Sequence, residues 1–247
     1  MDISSYILLS HEQALRRRLD IAANNMANAS TVGFHRERPV FHEYVERAKD
    51  AMVPDAKAAS FVLDYRAAQD TRPGAFEATG NPLDVMIDGP GYFAVEAPGG
   101  GTAYTRAGFI KVNDSGDLVT SGGQKILDDG GRPLSVPPDA LASLSIGADG
   151  TVLSKDGPLG RIGVTVFGDD GALTPRGDGM MNGAGGRVLG ASETRLRSGG
   201  VEGSNVQPIV ETTELVDILR SYQSSMKIAD AINDMRSRAI QRLGRIG

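Results

Sequence analysis

The sequence predicts an α+β fold: long N- and C-terminal α-helices pairing as a coiled-coil-like core, with a central antiparallel β domain rich in hairpins. Two observations carry this. All 12 prolines and all but two of the 32 glycines lie between Gly33 and Pro208, so both ends are free of helix breakers. Apolar residues recur at helical spacing in both ends, whereas the middle alternates short apolar runs with Asp-Gly and Ser-Gly turns.

The elements follow in order. Residues 1–34 are expected to hold the first helix. Leu8, Leu15, Leu19, Ala22 and Met26 share one face, broken only by Glu12, and Arg16, Arg17 and Asp20 lie opposite. Gly33 stands where a left-handed residue stops a helix, with Phe34 folding back. Residues 35–75 mix charge, Pro39, Pro54, Pro73 and one apolar stretch at 61–65, which predicts an extended arm or connector.

Residues 76–195 are expected to form the β domain. Its runs at 92–95, 109–112, 118–120, 125–127, 151–153 and 161–167 are separated by turns such as Asp114-Ser115-Gly116, Asp128-Asp129-Gly130, Asp149-Gly150 and Asp169-Asp170-Gly171. Residues 196–247 contain the second helix, with Pro208 in its first turn and Gly244 at its stop. Its stripe reads Leu215, Leu219, Tyr222, Met226, Ala229, Ile232 and Met235. The stripes could pack on each other as ordinary core helices. Two long narrow stripes paired only with one another leave further apolar positions wet, which favours a bundle shared between subunits.

Composition narrows the function. With 26 basic and 31 acidic residues and no basic stripe interleaved with aromatics, nucleic acid is not an expected partner. The chain has no cysteine, which excludes disulfides and thiolate chemistry. The apolar run at 6–9 is far too short for a signal core or a membrane span, so no membrane insertion is expected.

Catalytic signatures are missing: no Gly-x-Ser-x-Gly, no phosphate loop and no dinucleotide fingerprint. His11-Glu12 begins like a zinc-protease helix, but Leu15 stands where the second histidine would be. His35 and His42 read as surface or connector residues. The acids at 114, 117, 128, 129, 149, 169 and 170 read as turn residues bonding their own backbone. A hidden carboxylate pair of hydrolase type, or a β-domain adhesin or carbohydrate-binding module on helical stalks, are the rival readings. No catalytic residue, metal ligand or cofactor is expected.

Asparagine is the anomaly. Asn24, Asn25 and Asn28 crowd a helix end although asparagine competes for backbone groups and weakens helices. Either they cap and fray that end, or their amides fix register between neighbouring helices.

The run Ala23-Asn24-Asn25-Met26-Ala27-Asn28-Ala29-Ser30-Thr31-Val32-Gly33-Phe34 resembles the signature of the bacterial flagellar rod and hook proteins. Glu202-Gly203-Ser204-Asn205-Val206 resembles their second signature. Thr79-Gly80-Asn81-Pro82-Leu83-Asp84-Val85-Met86-Ile87-Asp88-Gly89-Pro90-Gly91-Tyr92-Phe93, and Tyr104-Thr105-Arg106-Ala107-Gly108 with its continuation to Leu127, agree, in the same order. Val32 and Met86 depart from the commonest residues at those positions. Ser60-Phe61-Val62-Leu63-Asp64, Asp70-Thr71-Arg72 and the opening at 15–21 resemble the proximal-rod branch, with the distal-rod branch as the alternative.

The resemblance implies a non-enzymatic subunit of the rod that crosses the periplasm in the flagellar basal body. It would be exported without a cleaved signal through the flagellar type III apparatus and would polymerise with copies of itself and other rod proteins. The helical ends would order on docking. The implied interface residues are Leu15, Leu19, Asn24, Asn25, Asn28, Thr31, Gly33, Phe34, Glu202, Ser204, Asn205, Val206, Leu215, Leu219, Tyr222 and Met226.

Overall fold

A computed structural model describes residues 3–46, 59–168 and 173–243. The chain divides into two compact units, a helical one (residues 1–27, 37–68 and 207–247) and a β unit (residues 28–36 and 69–206).

In the helical unit, α1 (Ile3–Ala27) and α2 (Pro208–Leu243) pack together, and α1 also lies against β1 (Glu37–Glu46). β1 pairs with β2 (Ala59–Gln69) in a two-stranded sheet. Leu15, Ala22 and Ile218 are buried between the helices, flanked by Leu19, Leu215 and Tyr222. The helices run antiparallel, since Asn25 reaches Glu211 while Arg18 reaches Glu214 at 3.3 Å. That ion pair is half-exposed and contributes at most about 1 kcal/mol.

The buried face of α2 differs from the stripe expected. Ile218 (2 % exposed) and Ser225 (3 %) point inward with Leu215 and Tyr222, whereas Leu219 (47 %), Met226 (42 %) and Met235 (63 %) face outward. The helix carries apolar residues on more than one side, so periodicity alone did not identify the side α1 covers.

The β unit is built from short antiparallel strands. β3 (Phe76–Ala78), β4 (Val85–Ile87), β5 (Tyr92–Glu96), β6 (Thr102–Thr105), β7 (Ile110–Val112) and β8 (Leu118–Thr120) precede a 3-10 turn, Pro138–Ser143. Then come β9 (Ser145–Ile146), β10 (Thr151–Ser154), β11 (Gly157–Arg161), β12 (Val164–Val166), β13 (Leu173–Pro175), β14 (Met181–Gly183), β15 (Arg187–Val188), β16 (Leu196–Ser198) and β17 (Gly200–Glu202). One six-stranded sheet has the order β13-β14-β6-β5-β12-β15 and a three-stranded one the order β11-β10-β9. Smaller pairs are β7-β8, β16-β4 and β17-β3.

Residues 125–127 make isolated bridges rather than the strand expected. The core between the sheets centres on Val85, Phe93, Val95, Leu118, Ile126, Val152 and Ile162.

Turn chemistry explains much of the register. The β7-β8 turn uses Asn113, whose Oδ1 accepts from Ser115 N and Asp117 N, with Gly116 at φ 82°. Asp128 and Asp149 bond nearby backbone amides as expected. Asp117 does not: its carboxylate takes Lys125 at 2.8 Å and Ser135 at 2.6 Å, and Asp129 pairs with Arg161. The turn at Asp169-Asp170-Gly171 and the helix stop at Gly244 lie outside the described residues.

Candidate functional site

Both terminal signatures fold into hydrogen-bonded networks. In the helical unit, Asn25 is 1 % exposed. Its Oδ1 accepts from Glu37 N at 2.8 Å, and its Nδ2 donates to Glu37 O at 2.9 Å and to Glu211 Oε2 at 3.2 Å. One amide therefore reads both backbone groups of the residue that begins β1, as a neighbouring strand would. Glu211, fully buried in the first turn of α2, is acidic where the helix dipole favours it. Asn24 is exposed, and Asn28 accepts from the Thr31 hydroxyl in the turn after α1.

Asn25→Leu is accordingly expected to loosen the helical unit itself. It leaves the Glu37 amide and carbonyl without their partner at about 1–3 kcal/mol for each unsatisfied group. Hydrogen exchange at Glu37 should rise, while exchange in the β unit stays unchanged.

In the β unit, the polar centre is Glu202, which is 0 % exposed. Its Oε1 accepts from His35 Nε2 at 2.9 Å and from Gly74 N at 3.0 Å. Arg106 Nε lies 3.1 Å from Glu202 Oε2 in an ion pair, though its N–H is not aligned for a hydrogen bond. Arg106 itself donates to Gly91 O and Gly89 O and lies over the Tyr92 ring. Burial would push the Glu202 carboxyl up, but the His35 bond, the Arg106 charge and the Gly74 amide outweigh it and hold it below the usual glutamate value. Burial lowers the Arg106 guanidinium below its ordinary value, against the pull of Glu202.

His35 corrects the sequence reading. It is 4 % exposed and bonded to a buried carboxylate, not a surface or connector histidine. Spacing gave no sign of it, because its partner is 167 positions away.

Gly33 takes φ 70° but is not the helix stop expected, since α1 ends at Ala27 and a turn lies between them; it donates its N–H to Glu202 O at 2.8 Å, and a Cβ there would come to 2.5 Å from Arg106 C. Only glycine fits there. Asn205 is the counterpart of Asn25: Arg36 N donates to its Oδ1, and its Nδ2 donates to Asp70 O and Arg72 O. Ser204 Oγ accepts from Val206 N, and Val206 is buried.

The sixteen expected interface residues thus separate. Leu15, Asn25, Glu202 and Val206 are buried within the chain, and Leu19, Asn28, Gly33, Phe34, Ser204, Asn205, Leu215 and Tyr222 are partly so. Asn24, Thr31, Leu219 and Met226 are exposed. Sequence reasoning missed Arg106, Glu211 and Ile218 as members of these networks. Glu211 could have been suspected, since an acid in the first turn of a helix is a recognised signal.

Among the described residues, no cluster of His, Asp or Glu could hold a metal ion, and no helix is long and apolar enough to cross a membrane. What the molecule displays is apolar helix surface on α2, attached to a fold whose buried polar groups hold backbone in place. These features define an architectural subunit, one that acts by packing.

Comparison with known proteins gives the family. Three family profiles match: the flagella basal body rod protein over residues 6–35, the flagellar hook protein FlgE/F/G D1 domain over 86–154, and the flagellar basal body rod FlgEFG protein C-terminal over 197–242. The chain is 37 % identical to the flagellar basal-body rod protein FlgF of Caulobacter vibrioides, with 100 % of each chain covered. It is 32 % identical to FlgF of Mesorhizobium japonicum over 99 % of each. Against the rod protein FlgG of Bacillus subtilis identity is 33 %, over 91 % of this chain and 93 % of the relative. The chain belongs to the flagellar basal-body rod protein family, on its FlgF-like side, and is a structural subunit of the basal body rather than an enzyme.

Proposed function

We propose that this chain is a FlgF-type rod subunit that polymerises with copies of itself and with other rod proteins through its terminal helices, forming part of the axial tube that transmits torque across the periplasm. The single observation that carries this reading is the exposed apolar surface of α2. Val216, Leu219 and Met226 lie on one side of it, and Ile228 and Met235 on another, all more than 40 % exposed. A helix apolar on several sides is one whose remaining sides are covered in the assembled state.

Coiled-coil-like pairing of α1 and α2 is supported by the spacing of their inward residues. Leu8, Glu12, Leu15, Leu19, Ala22 and Met26 follow alternating steps of four and three, as do Glu211, Leu215, Ile218, Tyr222, Ser225, Ala229 and Ile232. Family membership supports delivery through the flagellar export apparatus. On this reading Asn24, Thr31, Leu219 and Met226 face neighbouring subunits, whereas Asn25, Glu202 and Asn205 shape the surfaces that do.

The test is to locate a tagged chain in purified hook–basal bodies. Recovery of the tag in the rod fraction is the expected result. Basal bodies with complete rods that lack the chain would overturn the reading.

A further inference from the structure

The packing of α1 against α2 leaves an open groove of about 430 Å³, lined by Arg18, Ile209, Val210, Thr213, Glu214 and Asp217. Ile209 is 83 % exposed and Val210 48 %. A groove this open does not enclose a small molecule. Apolar side chains set beside charged ones suit those presented by another helix.

The groove is the start of a longer stripe. From Val210, Glu214 and Asp217, alternating steps of four and three continue through Ser221 and Ser224 to Ile228, Ala231, Met235, Arg238 and Arg242, all on one side of α2. Apart from the partly buried Glu214, every residue of this stripe is exposed. Its charge is split by position, with acids alone in the first part and bases alone in the last. Glu214 is paired with Arg18 at 3.3 Å, but the Asp217 carboxylate and the Arg238 and Arg242 guanidiniums have no partner among the described residues.

We infer that the last turns of α2 from a second copy of this chain lie in this groove, parallel to the α2 that lines it and displaced along it by about 25 residues, or about 37 Å. In that register Met235 of the second copy meets Val210, its Arg238 comes beside Glu214, and its Arg242 reaches Asp217. One displacement therefore serves the apolar site and both acids. The occupant is a second copy because the groove and the face that complements it belong to one helix. The direction rests on the polymerisation proposed above. Run antiparallel, the same stripe also sets Glu214 against Arg238, but that contact is two-fold symmetric and closes as a dimer. A displaced parallel contact leaves a groove free on one copy and a helix end free on the other, so it extends.

The chain has no cysteine, so engineered pairs report this contact without background from its own thiols. Val210→Cys and Met235→Cys in one full-length tagged chain stand about 37 Å apart along their own helix, far beyond disulfide reach, and join only different copies. Oxidised basal bodies from cells making this chain are expected to yield tagged dimers and longer ladders on a non-reducing gel, with none from either substitution alone. Asp217→Arg in the same chain should reduce the ladder several-fold, and adding Arg242→Asp should restore it.

Tagged rods without a ladder would overturn the inference and leave the rod reading standing. So would a link through Asp217→Cys with Met235→Cys, which marks the antiparallel pair. An unsubstituted tagged chain missing from complete rods would overturn both. Should the paired-cysteine chain stay out of rods that accept the unsubstituted one, charge alone decides. Asp217→Arg and Arg242→Asp should each lower the amount of chain in rods and together restore it. Unchanged amounts in the single variants, or no recovery in the double one, would refute the contact.

Discussion

Glu202→Ala should lower the melting temperature of the β unit by about 6–20 °C, because removing one partner of a buried ion pair costs about 3–5 kcal/mol and each kcal/mol moves a unit of this size by about 2–4 °C. The cause lies in what remains. Arg106 stays buried with its charge uncompensated, and His35 Nε2 and Gly74 N lose their acceptor. Glu202→Gln, which keeps an acceptor for those two groups but not the charge, should fall between.

The same residue sets an acid limit. Because folding holds the Glu202 carboxyl below its ordinary value of about 4.3, its contribution is fully present above that value and is lost as pH falls through the lowered one. The stability gap between wild type and Glu202→Ala should therefore narrow below about pH 4. Calorimetry at a series of pH values measures both effects. A Glu202→Ala protein that melts with the wild type at neutral pH would show that the ion pair is not what holds these segments.

Leu219→Asp should leave the free chain almost unchanged, within about 0.5 kcal/mol, yet stop rod growth. Leu219 is 47 % exposed, so in the isolated chain the new charge meets water. In a rod whose subunits cover this face, the same charge would be buried without a partner. Its neighbour supplies the contrast. Ile218 is 2 % exposed in the helical core, and Ile218→Ala should cost about 2–5 kcal/mol before any assembly begins. Thermal unfolding of the purified variants, with electron microscopy of basal bodies from cells carrying them, separates the cases. Equal destabilisation by the two substitutions, with complete rods formed on Leu219→Asp, would place Leu219 in the chain's own core and remove it from the interface.

What the sequence by itself determined about this protein is what local chemistry controls. The two breaker-free ends had no cheaper conformation than helix, and Gly33 supplied the left-handed φ of the turn that follows the first of them. Turns such as Asn113-Asp114-Ser115-Gly116 closed hairpins through bonds made within four residues. The signatures at 23–34 and 202–206 marked the family, and the profile and relative matches agree with them.

Only the tertiary structure decided which groups those signatures hold. Asn25 grips Glu37 and Glu211, Asn205 grips Arg36, Asp70 and Arg72, and His35 meets Glu202 and Arg106. Likewise it turned Ile218 inward and Leu219 outward, although both are apolar and adjacent. The physical reason is common to all of them. A polar side chain needs a partner and an apolar one needs cover, and both requirements are legible in one dimension. The particular partner or cover here comes from segments as much as 196 positions away, and only folding brings those together.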